Sequence, residues 1–269
     1  MPVYWFALSQ VKAIHSGHAV LVFVILHGLV YPASNGYNSY MDRDTSSIGG
    51  LKQPLPPTRQ LFYVTTWMDI LSILLSFFIH PYFAFGITIY ILVSKAYSHR
   101  GIRLKKYPVT GYLAVVLIQG AFTFALVFFG TNAEKTFHIP CLAIVIAALL
   151  IGGFYPLTQL YQHKADLADG VRTISYLLGY RGTFIFCGII YTIAFTLLSV
   201  YFSVTMQLSS LYVFSLCLLP VLLQFITWFR KVRADESAAD FRNTMRMMIT
   251  ASVCTNLAFI IIFILNHFE

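Results

Sequence analysis

Apolar residues in this chain run in long stretches separated by short polar ones. A helix needs about 20 apolar residues to cross a bilayer. Eight such stretches occur, at 16–34, 61–79, 82–98, 110–130, 139–160, 183–204, 209–229 and 245–266. None of the connections between them is long enough to be a second domain. The pattern predicts an all-α membrane protein, a polytopic bundle of eight transmembrane helices forming one domain over residues 1–269. The start, "PVYWFALSQ", is apolar but only about half a span. It is either an interfacial piece or the end of a lead-in helix whose beginning is missing, which would make nine. No basic leading region precedes it, so no cleavable signal is expected.

Composition supports this reading. The chain is 58% hydrophobic and 10% charged, where a soluble domain carries about a quarter charged residues. Cys141, Cys187, Cys217 and Cys254 all sit in apolar runs, with no CxxC and no Cys/His cluster. They read as small buried hydrophobes. The net charge of +8 comes from 18 Lys and Arg. Lys12 and Lys135 stand apart. The remaining 16 lie in or close to the connections 35–60, 99–109, 161–182 and 230–244. Those connections alternate as they must if all face one side, and the positive-inside rule makes that side cytoplasmic. Membrane topology thus accounts for the basic balance, and no nucleic-acid partner is expected. Both chain ends then lie outside.

The polar residues at the helix edges need an explanation. Ionisable groups inside a membrane cost about 2.5–3.5 kcal/mol each on insertion scales, and they face a cavity or a partner. Asn38 and Asp42 are four apart and share a face if the first helix continues through them; Asp44 lies just beyond. Gln162 and Asp166 are also four apart, and Asp169 follows by three. Each cluster closes an outside-to-inside helix, four helices apart. That spacing suits two pseudo-repeated four-helix halves bringing acidic faces to a common cytoplasmic mouth. Opposed acids repel unless something positive sits between them. Hard oxygen donors suit Mg²⁺, which binds through one or two carboxylates plus substrate phosphates. The metal candidates are Asn38, Asp42, Asp44, Asp166 and Asp169. Lys52, Arg59, Arg103, Lys105, Lys106 and Arg172 lie near enough to clamp phosphate oxygens. The plainer alternative is that these are solvated residues at helix ends.

Three segments resemble a known family. "NSYMDRDTSSIGGLKQPLPPTR" is similar to the first aspartate-rich motif of the UbiA superfamily of intramembrane prenyltransferases, Asn-x-x-x-Asp-x-x-x-Asp followed by Pro-Leu-Pro-rich residues. "YQHKADLADGVRTISYLLG" resembles the second motif, Asp-x-x-x-Asp with a following Gly-x-x-Thr and Leu-Gly pair. "YSHRGIRLKKYPVTG" resembles the Tyr-to-Lys loop between them. Asn38, Asp42, Asp166, Gly170 and Thr173 match the family pattern. Two positions depart from it: Ser46 stands at the third place of the first motif, with Asp44 nearby, and Gln162 stands where Asp is usual. The wording "IGGLK" and "YQH" is similar to bacterial branches, so the expected location is a bacterial inner (cytoplasmic) membrane.

The resemblance implies Mg²⁺-dependent transfer of a prenyl group from an isoprenyl diphosphate to a lipophilic aromatic or quinone-precursor acceptor, among membrane lipids. It implies diphosphate binding by Asn38, Lys52, Arg103, Lys105, Lys106, Arg172, Tyr161 and Gln162, with Asp42, Asp166 and Asp69 as catalytic candidates. Tyr37, Tyr40, Tyr97, Tyr155 and Tyr161 lie at the right level for their ring faces to stabilise an allylic cation. Asp69, inside the second helix in "TTWMDILS", would bind the acceptor or take its proton; alternatively it bonds to Asn256 or His27. His163 is either a base beside the diphosphate or a solvated loop histidine. Two other functions stay open. A terpene cyclase on the same scaffold would need no acceptor. A non-catalytic lipid binder or transporter would leave the paired acidic faces unexplained.

Overall fold

The computed structural model describes residues 2–43 and 47–268. A short helix α1, Pro2–Ser9, precedes α2, Ser16–Asp42. Helices α3 (Arg59–Ser76) and α4 (Pro81–Ser98) follow. Next come α5 (Pro108–Thr131) and α6 (Cys141–Thr158). A 3-10 turn at Leu160–Gln162 leads into α7, His163–Ala168. Helices α8 (Ile174–Val204), α9 (Leu208–Ala234) and α10 (Phe241–Phe268) complete the chain.

Local chemistry sets the boundaries. Pro81 and Pro108 each sit at the start of a helix, where the missing N–H has no intrahelical partner to lose. The Thr173 hydroxyl caps α8 by accepting from the Tyr176 N–H at 3.2 Å. Helix α2 stops where Arg43 turns left-handed, at φ 57°. Two helices carry a π turn, α2 at Val24–Val30 and α5 at Val116–Phe122. A π turn inserts an extra residue and so re-aims the face that follows. In α2 the re-aimed face is the polar one ending at Asp42.

Among the described residues, six helical segments are long and apolar enough to cross a membrane: α2, α5, α6 with α7, α8, α9 and α10. Helices α3 and α4 occupy the second and third predicted spans and are 18 residues each, but polar residues such as Arg59, Gln60 and Asp69 in α3 and Lys95 in α4 leave them outside those six. Helix α8 begins at Ile174, well before the apolar run that starts at 183. Its first turns are polar, and Gly179, at φ 68°, kinks the helix before the apolar part. Many large apolar side chains point outward, among them Leu74, Leu216 and Leu223. A water-soluble helix hides that face; a lipid-facing helix has no reason to.

Inside the bundle, α8 packs along α6, α9 against α10, and α1 against α10 and α5. One core cluster includes Phe6, Phe83, Phe124 and Phe259; a second includes Phe184, Val221, Trp228 and Met247. Helix α1 is therefore a core element and not an interfacial piece: Phe6 and Ala7 are fully buried, and the Tyr4 hydroxyl donates to the Ala19 carbonyl at 2.8 Å. Helices α5 and α6 touch at Gly120. A Cβ there would lie 2.6 Å from the Ala148 Cα, so only glycine permits the approach.

The two ends of the bundle differ in charge, in the way the alternating connections require. At one end the Asn266 amide donates to the Ser9 carbonyl at 3.0 Å, and the His15 N–H donates to the Thr131 carbonyl at 2.9 Å. Lys12 and Lys135 belong to this end. At the other end Gly50 meets Met245, and Arg103 meets Asp42 and Asp169.

Replacing Gly120 by Ala should destabilise the bundle by about 2 kcal/mol, because the backbone of α6 cannot yield as a flexible side chain would. Thermal unfolding in detergent checks this; an unchanged midpoint would contradict the close α5–α6 contact. Lys135 supplies a pH test. Its ammonium donates to the Gly130 carbonyl at 2.6 Å and meets His18 Nδ1 at 2.9 Å. Burial lowers its pKa from 10.5 to about 8. Between those values the unfolded chain binds more protons than the folded one, so stability rises with pH across that window. The rise should be small, since Lys135 is only half-buried, and it should vanish in Lys135→Met when unfolding midpoints are compared at pH 7.5 and 10.

Candidate active site

A cavity of about 860 Å³ opens at the basic end of the bundle, between α2, α4, α5, α6 and α7. One face of α2 lines it through Asn35, Asn38 and Asp42. The spacing of three and four is that of a single helical face. Gln162, Asp166 and Asp169 line it from the turn and short helix after α6. The two acidic clusters thus share one mouth, as their positions in the sequence predict.

The loop between α4 and α5 supplies the charge between them. Lys105 is buried and its ammonium reaches both Asp42 Oδ2 and, at 3.0 Å, Asn38 Oδ1. Asn38 Oδ1 also accepts from the Ser98 hydroxyl at 2.6 Å. Arg103 pairs with Asp169 and approaches Asp42 Oδ1 at 3.4 Å. It also donates to the Asp169 carbonyl at 3.1 Å. Arg100 holds the rim, donating to the Met41 carbonyl at 2.7 Å with Asp169 3.7 Å away. Two local features aim these side chains. Arg103 adopts a left-handed backbone, φ 50°, and a 3-10 turn at Leu104–Lys106 follows it. Gly111 lets α5 pass beneath the loop, since a Cβ there would stand 2.9 Å from the Lys105 Cα. The side chains of Lys105, Arg103 and Asp42 are 9%, 12% and 14% exposed. Ion pairs this sheltered are weakly screened by salt.

Deeper in, the Tyr97 and Tyr155 hydroxyls bond to each other across the cavity. Tyr161 also lines the cavity. Tyr37 does not: its ring lies under the Lys95 ammonium, 4.1 Å from the centroid.

The remaining candidates are placed elsewhere. Lys52, Lys106 and Arg172 are exposed and do not line the cavity among the described residues. Lys106 follows Lys105 on the 3-10 turn, so the two cannot both face inward. Asp44 lies outside the described residues. Asp69 is buried in a separate small pocket, bound to Lys95 at 2.7 Å, and not to Asn256 or His27. Lys95 lies one helix away on α4, so a membrane-embedded acid is compensated without reaching the cavity. His163 is neither a base at the diphosphate nor a solvated loop residue. It is buried, stacked on Tyr180 and bonded to the Ser175 hydroxyl at 2.8 Å.

Asn35, Gln119 and Ser98 complete the cavity and were not singled out from the sequence. Asn35 stands three residues before Asn38, so the same helical periodicity would have found it. Ser98 and Gln119 come from other helices, and nothing local marks them.

Among the described residues no group of three or more His, Cys, Asp or Glu is close enough to hold a metal by itself. The oxygen donors of Asn38, Asp42 and Asp166 nonetheless line one cavity. That donor set fits Mg²⁺, which takes one or two carboxylates and completes its shell with substrate phosphates and water.

Known proteins share this architecture. A UbiA homologue from Aeropyrum pernix K1, in its apo form, is 17% identical and aligns over 98% of this chain and 94% of its own, with a TM-score of 0.69. A UbiA homologue from Archaeoglobus fulgidus bound to DMAPP and Mg²⁺ is 15% identical, over 97% of this chain and 93% of its own, with a TM-score of 0.63. A digeranylgeranylglyceryl phosphate synthase is 18% identical, over 98% and 91%, with a TM-score of 0.63. At these identities the likeness establishes the fold. No curated protein matches the chain in sequence. The model of the UbiA prenyltransferase family matches residues 1–253. This multi-pass membrane protein belongs to the UbiA prenyltransferase family.

Proposed function

We propose that this chain transfers a prenyl group from an isoprenyl diphosphate to an aromatic or quinone-precursor acceptor, using Mg²⁺. The observation that carries this reading is the pair of acid-bearing faces, α2 and α7, meeting across one cavity with Lys105 and Arg103 between them. A lipid carrier has no need of such a constellation at the mouth of an apolar chamber. The homologue bound to DMAPP and Mg²⁺ supports the same chemistry.

In this reading the cavity's apolar walls take the isoprenoid tail and its mouth takes the diphosphate. Asn38, Asp42 and Asp166 hold the metal, with Asp169 beside them. Bound there, Mg²⁺ neutralises charge on the leaving diphosphate. Lys105 and Arg103 exchange their carboxylate partners for phosphate oxygens and give preorganised charge stabilisation as the C–O bond breaks. The electron pair leaves on the diphosphate, and the allylic carbon accepts a pair from an acceptor carbon, which then loses its proton. The faces of Tyr97, Tyr155 and Tyr161 stabilise the intervening cation.

The same reading covers the architecture. Helices α3 and α4 also cross the bilayer, which gives eight spans in two halves of four, α2–α5 and then α6 continued by α7, α8, α9 and α10, within a single domain of residues 1–269. Outward-facing Trp67, Leu71 and Leu92 support those two crossings. The positive-inside rule supports a mouth at the cytoplasmic face, and the resemblance to bacterial branches supports a bacterial inner membrane.

Pyrophosphate release from purified protein tests the reading, with geranyl, farnesyl or geranylgeranyl diphosphate and a panel of phenols. Release should require both Mg²⁺ and an acceptor and should stop in EDTA. Asp42→Ala and Asp166→Ala should each lower turnover by about 100-fold or more while the protein stays folded. Wild-type turnover in either variant would sink the assignment. Release without acceptor, giving a cyclic product, would make the protein a cyclase. Lys105→Met leaves a sheltered Asp42 carboxylate with only a long contact to Arg103. It should cost about 3 kcal/mol of stability, read in thermal unfolding, and should also raise the KM for the diphosphate.

A further inference from the structure

Two carboxamides deep in the cavity have no part in the chemistry at its mouth. Asn35 on α2 and Gln119 in the π turn of α5 both line the cavity. Neither side chain has a hydrogen-bond partner in the protein among the described residues. At 1.5 Å per residue, Asn35 lies about 10 Å inward from Asp42, and Gln119 about 16 Å inward from the start of α5. Both residues are exposed where they line the cavity, so their carboxamides are open to a ligand or to water.

The prenyl diphosphate does not satisfy them. Its charged oxygens belong at the mouth with Lys105, and its tail has no hydrogen-bonding atoms. The second substrate remains. The inner chamber also states what that substrate must be. Its other walls are mostly apolar, including Ile118, Ile151 and Phe154; Tyr90 also lines it, and Ser34 and Ser94 satisfy each other at 2.5 Å. Among the described residues, the cations lining the cavity are Arg43 and Lys105, both at the mouth. Lys95 is committed to Asp69 in a separate pocket. No positive charge is therefore available to a carboxylate in the inner chamber, and burying one there unpaired is prohibitive. A carboxamide, in contrast, both donates to a carbonyl and accepts from a hydroxyl.

Building on the transfer reaction above, we propose that Asn35 and Gln119 form the acceptor subsite. The acceptor is an uncharged ring carrying hydroxyl or carbonyl oxygens, of the quinol type, and not a carboxylated phenol. The π turn at Val116–Phe122 is the device that points Gln119 inward.

A matched pair of probes, 1,4-dihydroxynaphthalene and 1,4-dihydroxy-2-naphthoate, separates the possibilities. Their binding to purified protein is measured anaerobically by isothermal titration calorimetry. Wild type should bind the uncharged probe at least about tenfold more tightly, and Gln119→Leu and Asn35→Leu should each weaken that binding by about tenfold, the loss expected for one hydrogen bond. The affinity for geranylgeranyl diphosphate with Mg²⁺ should be unchanged in both variants. Equal or tighter binding of the carboxylate would overturn the proposal, as would wild-type affinity for the uncharged probe in both variants. If wild type releases no pyrophosphate, the transfer reading fails, yet the binding comparison still decides the subsite.

Discussion

Two carboxylate-bearing faces cannot share a low-dielectric mouth without positive charge between them. The loop joining α4 to α5 meets that constraint with Lys105 and Arg103. Much of the local structure serves their placement. Gly111 makes room for the loop, the left-handed Arg103 turns it, and Ser98 holds Asn38 in register. Breaking such a pair costs more than the pair contributes, because the partner is left as an uncompensated charge. A substrate can displace Lys105 and Arg103 only if it brings its own compensation. A diphosphate accompanied by a divalent cation does so, since the metal takes over the carboxylates as the phosphates take over the bases.

The cavity then divides by chemistry along its length. Charge is confined to the mouth, where water and ions arrive. Tyrosine faces and hydroxyls occupy the next level. Farther in, apolar walls are interrupted by the carboxamides of Asn35 and Gln119 and by Tyr90. In the proposed reaction this gradient would order the substrates, with the ionic leaving group facing out and the uncharged acceptor within. The buried Asp69–Lys95 pair keeps a second ionic centre out of this gradient by neutralising it between α3 and α4.

Much of this was legible in the chain. Asn38 and Asp42 are recognisable because a spacing of four at the end of an apolar run suits one face of one helix; Gln162 and Asp166 show the same spacing, although a 3-10 turn ends at Gln162 before the helix that carries Asp166. The alternation of basic connections likewise follows from the chain having to cross and return. What the sequence could not decide is register between helices. Asp69 finds Lys95 and not Asn256 or His27 because α3 and α4 lie side by side, a matter of packing. Lys105 faces inward and Lys106 outward because of one 3-10 turn. The burial of α1 depends on α5 and α10, far away in sequence, so its half-length apolar pattern was ambiguous.

The central claim is that Lys105 and Arg103 stand in for substrate and metal until both arrive. A cryo-EM structure with Mg²⁺ and geranylgeranyl thiodiphosphate, which resists turnover, tests it most directly. The account predicts that both bases leave Asp42 and Asp169 for phosphate oxygens, with metal density at Asp42 and Asp166. Both ion pairs persisting, with the diphosphate bound elsewhere, would contradict it.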